Sequence, residues 1–237
     1  MQTGKGTIRI EIFSDILCVW AYFAQARLDQ LKRDFGDRVD LHHRYISVYG
    51  DSGHRIGEDW REKGGHERLN RHLRRLSRHR DYVDLHPEVW LRSAPPSSEP
   101  AHLYIKAAQR LEEEGPLPNA RSDAAAGRRI SEAYAWRLRC AFFAAAEDVA
   151  DVSVLRRVAT DIGLPVDALQ KLVDRGQAHA ALQGDRDAEQ EYRVSGSPTL
   201  VFNEGRQKLY GNVGYRIIEA NIRELLRNAH HGEASWC

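Results

Sequence analysis

The sequence predicts an α/β fold in which the two ends of the chain form a β-rich domain and the middle forms a large all-helical insertion. Near the start, Ile8, Ile10 and Ile12 alternate with polar residues, which is typical of a half-buried strand. Near the end, two short β-rich segments, 199–202 and 208–210, lie on either side of a turn and predict a hairpin. Between the two ends, apolar residues recur mainly at helical spacing.

The first strand leads into a helix and then into a second strand. Apolar residues recur at helical spacing from Tyr22 to Leu31, and Gly36 supplies a stop. A second strand is predicted over residues 38–48, with alternate side chains on one face. The order of strand, helix and strand implies a right-handed parallel crossover.

The middle of the chain is predicted to be helical, with boundaries marked by proline, glycine and capping residues. The predicted helices cover residues 67–80, 101–114, 128–149, 152–162 and 165–176. The last of them begins at a proline and ends at a glycine, because proline suits the first helical turn and glycine suits the C-terminus. A closing helix over residues 215–227 carries an apolar stripe.

The chain length allows one elaborated domain or two small ones, because 237 residues can bury a full core. We assign residues 1–55 and 190–230 to a discontinuous β-rich domain, and residues 56–189 to a helical insertion domain. Residues 231–237 form a C-terminal tail that we expect to be flexible. The sequence contains no internal repeat.

The composition is that of a soluble globular protein, with 42% hydrophobic and 29% charged residues. No apolar run approaches the ~18 residues of a membrane span, so we expect no membrane partner. Residues 1–6 lack the hydrophobic segment of a signal peptide, which favours a cytoplasmic location. The formal net charge of +1 gives no reason to expect nucleic acid as a partner.

Cys18 lies at the predicted junction between the first strand and the first helix. The first turn of a helix presents unpaired backbone N–H groups and the positive end of the helix dipole, which favour a thiolate over a thiol. Such a site can lower the pKa of a cysteine from about 8.5 to roughly 3.5–7.5. We therefore predict a reactive thiolate at Cys18. The alternative is a small core residue, since free cysteine is often fully buried.

Two motifs resemble those of DsbA-like thiol-disulfide oxidoreductases of the thioredoxin superfamily. Residues 15–20, Asp-Ile-Leu-Cys-Val-Trp, are similar to the family's Asp-x-x-Cys-Pro-Trp-Cys element. Residues 194–202, Val-Ser-Gly-Ser-Pro-Thr-Leu-Val-Phe, are similar to its cis-proline loop and the strand that follows. The resemblance covers nearly the whole chain and implies a thioredoxin-like fold with a large all-helical insertion. It also implies that Ser197 and Pro198 lie close to Cys18, whereas an ordinary trans proline is the alternative.

The chain departs from the DsbA-like pattern at two positions. Ala21 stands where the family's second cysteine would be, so no disulfide can form within the motif, and Val19 replaces the proline. Residues 20–22, Trp-Ala-Tyr, look more like a sister branch, the 2-hydroxychromene-2-carboxylate isomerases and kappa-class glutathione transferases, which bind glutathione. The sequence therefore has the first cysteine of the DsbA-like branch, but it lacks the second cysteine, as the sister branch does.

The resemblance implies an enzyme, and it leaves three functions open. In the first, a thiol-disulfide oxidoreductase, Cys18 attacks a protein or small-molecule disulfide, and external glutathione or Cys237 resolves the intermediate. In the second, a glutathione-dependent isomerase or transferase, Cys18 only donates a hydrogen bond where the sister branch has serine. In the third, the chain is a redox-inactive member that binds peptides.

The candidate site residues follow from the two motifs. We expect Cys18 to be catalytic and its pocket to be formed by Asp15, Trp20, Tyr22, Ser197 and Pro198. Cys237 is the candidate resolving thiol. No tightly bound cofactor is expected, and glutathione is the candidate cosubstrate. The sequence leaves the oligomeric state open, with a homodimer as one option.

Three further features are assigned structural roles. Cys140 lies in mid-helix among apolar residues and is interpreted as an inert core residue. The histidines do not show metal-ligand spacing, so no metal site is expected. The basic segment 66–80 carries leucines at helical spacing, which favours a solvated cationic helix over a nucleic-acid site.

Overall fold

The structure, a computed structural model, describes residues 7–62, 64–78, 80, 82–115, 117 and 127–227. Its strands are β1 (Ile8–Ser14), β2 (Val39–Tyr45), β3 (Thr199–Phe202) and β4 (Gln207–Tyr210). Its helices are α1 (Val19–Phe35), α2 (Ser52–Trp60), α3 (Gly65–Ser77), α4 (Glu99–Glu114), α5 (Ile130–Phe143), α6 (Val152–Asp161), α7 (Val166–Asp174), α8 (Gln177–Glu191) and α9 (Tyr215–Arg227). Most of these helices lie between β2 and β3, as the sequence predicts.

The strands of the described chain form one mixed sheet in the order β2-β1-β3-β4. β1 pairs in parallel with β2, with Ile8 opposite Val39 and Ser14 opposite Tyr45. β1 also pairs antiparallel with β3, which forms an antiparallel hairpin with β4. The parallel pairing and the hairpin predicted from the sequence are confirmed. Because β1 is hydrogen-bonded to a strand on each side, its C-terminal end fixes the position of the turn that leads to Cys18.

One face of the sheet packs against α1 and α9. Side chains alternate along a strand, so the isoleucines of β1 all point to this face and are buried. They meet Phe35 and leucines of α1 and the apolar stripe of α9 in one cluster. On the opposite face, Phe13 is buried in a smaller cluster with Ala188 of α8. The sheet is therefore covered by helices on both sides.

A larger core lies among the helices between β2 and β3, and it includes the start of α1. Tyr22 and Phe23 of α1 are buried in this core together with Phe142 and Phe143 of α5. Helix α4 packs against α5, α7 and α8. This aromatic core ties α1, and with it Cys18, to the helical part of the chain.

The observed elements differ from the predicted ones at several places. β2 ends at Tyr45 rather than at residue 48, and α5 ends at Phe143 rather than at residue 149. The second difference arises because Ala146 has a left-handed backbone conformation, with φ of 51°. The sequence does not predict α2 and α8, in which apolar residues are few and glycines and charged residues intervene. The domain boundaries stay a prediction, and the predicted tail, 231–237, lies outside the described residues.

Asp185 of α8 joins this helix to β2 and α4. Its side chain is almost fully buried, with 1% exposed. Oδ1 accepts hydrogen bonds from Arg44 at 3.2 Å and from Lys106 at 3.0 Å. Oδ2 accepts a hydrogen bond from the backbone N–H of Tyr45 at 2.9 Å. One carboxylate thus neutralises two cations and satisfies the amide at the end of β2.

We expect Asp185→Ala to lower the free energy of unfolding by about 3–5 kcal/mol, because buried Lys106 loses its carboxylate partner and the N–H of Tyr45 loses its acceptor, whereas Arg44 keeps Glu11. The matched control is Asp187→Ala on the same helix, which removes an exposed carboxylate bonded to Gln183. This change should alter stability by less than about 0.5 kcal/mol. Urea unfolding measures both variants, and equally small losses would contradict the role assigned to Asp185.

Candidate active site

Cys18 occupies the N-cap position of α1, directly after the turn that follows β1. Its backbone is extended, with φ of −79° and ψ of 113°. Its N–H donates to the carbonyl oxygen of Asp15 at 3.2 Å, and its own carbonyl accepts from the N–H of Tyr22 at 3.1 Å. The structure therefore places the thiol at the first turn of the helix, which is the position that the sequence predicts.

The loop before β3 lies opposite the thiol. Cys18 Sγ donates a hydrogen bond to the carbonyl oxygen of Ser197 at 3.3 Å. The Ser197 hydroxyl accepts a hydrogen bond from the N–H of Asp15 at 3.0 Å. The Ser197–Pro198 peptide bond is cis, and the Pro198 carbonyl accepts from the N–H of Gly211 at 2.8 Å. The two motifs, far apart in the sequence, thus meet through direct hydrogen bonds.

The sulfur atom lies at the wall of a small pocket. Cys18 is 5% exposed, and the pocket that it lines has a volume of about 140 Å³. Trp20, Tyr49 and Trp60 give the pocket an aromatic wall, and Arg55 supplies a cation. The remaining lining side chains are mostly aliphatic residues of α2 and α3. The thiol therefore adjoins a small pocket that is lined by aromatic and aliphatic side chains together with Arg55 and His72.

Burial raises the pKa of the Cys18 thiol above its ordinary value, so the predicted lowering of this pKa is wrong. Interaction with the Ser197 side chain and with the backbone N–H groups of Ala21 and Trp20 lowers the pKa of Cys18, but this effect is smaller than that of burial. The negative charge of Asp15 raises the pKa further. The helix N-terminus does not outweigh desolvation here, because α2 and α3 cover the sulfur. The resting form is the protonated thiol.

Asp15 is completely buried beneath the site and does not line the pocket. Oδ1 accepts the N–H of Leu17 at 2.8 Å, and Oδ2 accepts the N–H of Tyr49 and the hydroxyl of Ser98, each at 2.8 Å. Desolvation raises the pKa of Asp15 to about 6 in spite of these hydrogen bonds. Asp15 thus positions the turn that carries the thiol.

Two further polar residues behind the turn are not predicted from the sequence. His102 of α4 is fully buried, and its Nε2 accepts the N–H of Ile16 at 3.1 Å. Burial lowers the pKa of His102 to about 3, so the ring is neutral. Arg139 of α5 is 3% exposed, and its Nη2 donates to the Ser14 hydroxyl at 2.9 Å. The available signal was a polar residue on the buried face of a helix, which apolar periodicity alone overlooks.

The structure does not bring Tyr22 to the pocket. Its ring stacks on Phe143 of α5 at a centroid distance of 4.7 Å, and its hydroxyl donates to the backbone carbonyl of Asp84 at 2.9 Å. Tyr22 lies on the face of α1 that packs against α5, and this face does not border the pocket at Cys18. Tyr22 is therefore a core residue, and Trp20 is the aromatic residue of the motif that lines the pocket.

Of the two other cysteines, Cys140 lies within the described residues and Cys237 lies outside them. Cys140 is a free, half-buried thiol packed against the helical core, and burial raises its pKa, which agrees with its interpretation as a core residue. Cys237 lies outside the described residues, so its predicted role as a resolving thiol stays a prediction.

No group of three or more His, Cys, Asp or Glu side chains in the described ranges could hold a metal ion. Among the helices of the described chain, none combines the length and the apolar character needed to cross a membrane.

Comparisons with known proteins find one matching family model and several solved structures with a similar fold. A family model described as a DSBA-like thioredoxin domain matches residues 118–223. No curated protein matches the sequence. The solved structure of the cytosolic disulfide reductase DsbM from Pseudomonas aeruginosa is similar, with a TM-score of 0.64 and 16% identity, over 91% of this chain and 98% of that one.

Two further solved structures show similar agreement. A 2-hydroxychromene-2-carboxylate isomerase has a TM-score of 0.64 and 18% identity, over 93% of this chain and 97% of that one. A probable DsbA oxidoreductase from Streptomyces coelicolor has a TM-score of 0.68 and 15% identity, over 97% of this chain and 94% of that one.

These similarities confirm the thioredoxin-like fold with its helical insertion and the resemblance to the DsbA-like family. Their low identities show the fold alone, and the related proteins include both oxidoreductases and an isomerase. The chain thus has the thioredoxin-like fold and resembles the DsbA-like family, and its reaction has to be inferred from its own residues.

We expect the alkylation rate of Cys18 to rise with pH around a midpoint above the ordinary cysteine pKa of about 8.5, because burial disfavours the thiolate. Iodoacetamide labelling followed by mass spectrometry measures this rate. A Cys140→Ala/Cys237→Ala background leaves Cys18 as the single thiol. A midpoint below about 7 would instead support the thiolate expected from the helix N-terminus.

The raised pKa of Asp15 predicts a stability contribution that falls as the pH rises. The pKa of an aspartate is ordinarily 3.8, and burial raises that of Asp15 to about 6 in the folded protein. The folded state therefore binds this proton more tightly than the unfolded state does. Protonation of Asp15 therefore contributes up to about 3 kcal/mol to the free energy of unfolding. This contribution is complete below about pH 4 and is lost as the pH rises through about 6.

Asp15→Asn removes this titration. The difference in unfolding free energy between the wild type and the variant should therefore fall between about pH 4 and pH 7. Buried His43 and His102, whose pKa values are lowered to about 3, act in the opposite direction and are present in both proteins. Urea unfolding at several pH values measures the difference, and a constant difference would refute a raised pKa at Asp15.

Proposed function

We propose that the chain is a thiol-disulfide oxidoreductase that uses a single cysteine, Cys18, with glutathione as the second thiol. The observation that carries this proposal is the position of Cys18 Sγ at the first turn of α1, 3.3 Å from the Ser197 carbonyl oxygen and facing a pocket. Ala21 is buried at the position of the usual second cysteine and offers no thiol. The second sulfur therefore comes from outside the motif.

The proposed reaction consists of two exchange steps on a mixed disulfide between glutathione and a substrate thiol. In the first step, Cys18 Sγ bonds to the glutathione sulfur, the mixed disulfide breaks, and the proton of Cys18 ends on the departing substrate thiol. In the second step, a glutathione thiol attacks the Cys18–glutathione disulfide. Oxidised glutathione leaves, and Cys18 regains a proton. The substrate thiol is reduced, and the protein returns to its starting state.

The Ser197 carbonyl links substrate binding to activation of the thiol. In the free protein this carbonyl accepts the proton of Cys18 Sγ. A peptide or glutathione that pairs with the loop as an added strand brings its own N–H to the same carbonyl. The thiol then loses its acceptor, while the backbone N–H groups of Trp20 and Ala21 continue to favour the thiolate. Substrate binding thereby offsets part of the desolvation that protects the thiol at rest.

Two observations support glutathione as the cosubstrate. The structure of DsbM with glutathione has the same fold, with a TM-score of 0.63 and 16% identity. In this chain, Arg55 lines the pocket at Cys18 and provides a cation for a glutathione carboxylate. The exchange steps need no tightly bound cofactor. A cytoplasmic location, which the cytosolic relative DsbM supports, would supply glutathione in its reduced form.

A second candidate function is a glutathione-dependent isomerase or transferase. It is favoured by one observation: the Cys18 thiol is protonated at rest and donates a hydrogen bond, as a serine hydroxyl can. The fold of the 2-hydroxychromene-2-carboxylate isomerase is compatible with it. In this function the reacting sulfur belongs to glutathione, and Cys18 only orients it.

We expect Cys18→Ser to abolish the reduction of a glutathionylated peptide by glutathione, with a loss of about 10³-fold or more in kcat/KM, because the attacking sulfur is removed. Cys140→Ala is the matched control and should keep the wild-type rate. Cys237→Ala tests the tail cysteine, and an unchanged rate leaves glutathione as the resolving thiol.

The same variants separate the alternatives. Full activity of Cys18→Ser in the peptide assay would overturn the single-cysteine mechanism. Isomerase or transferase turnover that survives in Cys18→Ser would support the second candidate. If the wild type binds the peptide but has no turnover in either assay, the chain is a redox-inactive peptide-binding protein.

A further inference from the structure

A cationic groove runs along the solvent side of α3, next to the candidate active site. It has a volume of about 880 Å³, and Trp60 and His72 form part of its wall. Five arginines line it: Arg68, Arg71, Arg74, Arg75 and Arg78. Among the described residues that line the groove, none is acidic. This concentration of charge contrasts with the nearly neutral chain as a whole, whose formal net charge is +1.

The two faces of α3 explain how the arginines come to lie together. Leu69 and Leu73 are buried on one face. Asn70 on the same side donates to the backbone carbonyls of Pro87 and Val89, at 2.9 Å and 2.8 Å, and so fixes the helix on the core. The arginines follow one another at spacings of mostly three and four residues, which brings them onto the opposite face. The groove is therefore built on a firmly docked helix.

Most of this positive charge is not neutralised within the described chain. Glu67 approaches Arg71 at 4.0 Å, with both side chains well exposed, and such a pair contributes little. Arg68, Arg74 and Arg78 form no ion pair with any residue that the structure describes. The guanidinium groups are thus available to an anionic partner.

The groove and the pocket at Cys18 share a wall. Trp60 and His72 line both of them, and their ring centroids lie 5.4 Å apart. Partial burial and then the charges of Arg75 and Arg68 lower the pKa of His72, which shows that the positive field extends to this wall. The groove and the pocket at Cys18 therefore adjoin each other at Trp60 and His72.

We propose that this groove binds an acidic segment of the polypeptide whose cysteine undergoes disulfide exchange at Cys18. The inference rests on the proposed oxidoreductase function and names its substrate class: proteins with carboxylates close to the reacting cysteine. Arginine suits this role because its planar fork of N–H donors matches a carboxylate in a bidentate arrangement. Opposite charges also increase the rate of encounter with such a substrate.

Nucleic acid is the competing anionic partner, since phosphates also bind arginine. The position of the groove favours the peptide. A nucleic acid brings no sulfur to the adjoining pocket, whereas one peptide chain can fill the groove with its carboxylates and the pocket with its cysteine. The charge of the groove and the chemistry of Cys18 then serve the same substrate.

The test compares three glutathionylated peptides that share one central cysteine and carry four flanking Glu, Gln or Lys residues. We expect the wild type to reduce the Glu peptide with a kcat/KM at least about tenfold above that for the Lys peptide. Arg68→Glu/Arg75→Glu should abolish or reverse this preference. Arg175→Glu/Arg216→Glu changes the same charge at exposed positions elsewhere and should keep the preference.

The outcomes distinguish the groove from the reaction. Turnover of all three peptides at equal rates would overturn the groove proposal and leave the oxidoreductase function standing. If no peptide is turned over, fluorescence anisotropy with a Cys→Ser version of the Glu peptide still tests the groove. Binding that is lost in Arg68→Glu/Arg75→Glu supports it, and the absence of binding overturns it. A single-stranded oligonucleotide that binds more tightly than the Glu peptide also overturns it.

Discussion

The buried carboxylate of Asp15 determines where the thiol stands. It receives the N–H of Leu17 in the turn after β1, the N–H of Tyr49 after β2, and the hydroxyl of Ser98 at the start of α4. Three segments that are distant in sequence are therefore fixed to one side chain. The cost is desolvation of the carboxylate, which its raised pKa records. Such a cost is offset only where every oxygen of the group is hydrogen-bonded, as it is here.

The same balance between desolvation and local hydrogen bonds governs Cys18. Excluding water strengthens the attraction of a helix N-terminus for a thiolate, but it also removes the hydration that stabilises this anion. Residues of α2 and α3 line the pocket at Cys18 and help to bury the sulfur. Burial therefore dominates the pKa of the thiol. In the proposed mechanism, activation comes with the substrate, through the carbonyl of Ser197 that accepts the thiol proton in the free protein. Substrate binding and thiol reactivity are then coupled at this one carbonyl oxygen.

Much of the fold could be predicted from local sequence patterns. The strand β1, with its alternating isoleucines, and the hairpin of β3 and β4 follow from short stretches of sequence. The proximity of Ser197 to Cys18 is instead implied by the resemblance to the DsbA-like family. Helix α8 could not be predicted, because it is anchored by Asp185, whose partners lie on β2 and α4. These partners are 141 and 79 positions away from Asp185, and interactions over such separations leave no trace in a local pattern.

The candidate site shows the same limit. Its position could be predicted, but the residues that decide its chemistry could not. The walls of the pocket come from α2 and α3, and the buried polar residues behind it, His102 and Arg139, come from α4 and α5. Tyr22, next to the motif in sequence, belongs instead to the aromatic core with Phe143. Proximity in sequence identified the centre of the site and not its surroundings.

The burial of the thiol also bears on how the protein withstands peroxide. Cysteine oxidation to sulfenic acid proceeds through the exposed thiolate, and a neighbouring cysteine usually rescues the sulfenic acid before it is oxidised irreversibly. With Ala21 beside it, Cys18 has no such neighbour in its motif. A protonated sulfur that is only 5% exposed presents a poor target to small oxidants. Burial thus protects Cys18 from irreversible oxidation by keeping oxidants away, whereas a second cysteine would protect it by forming a disulfide.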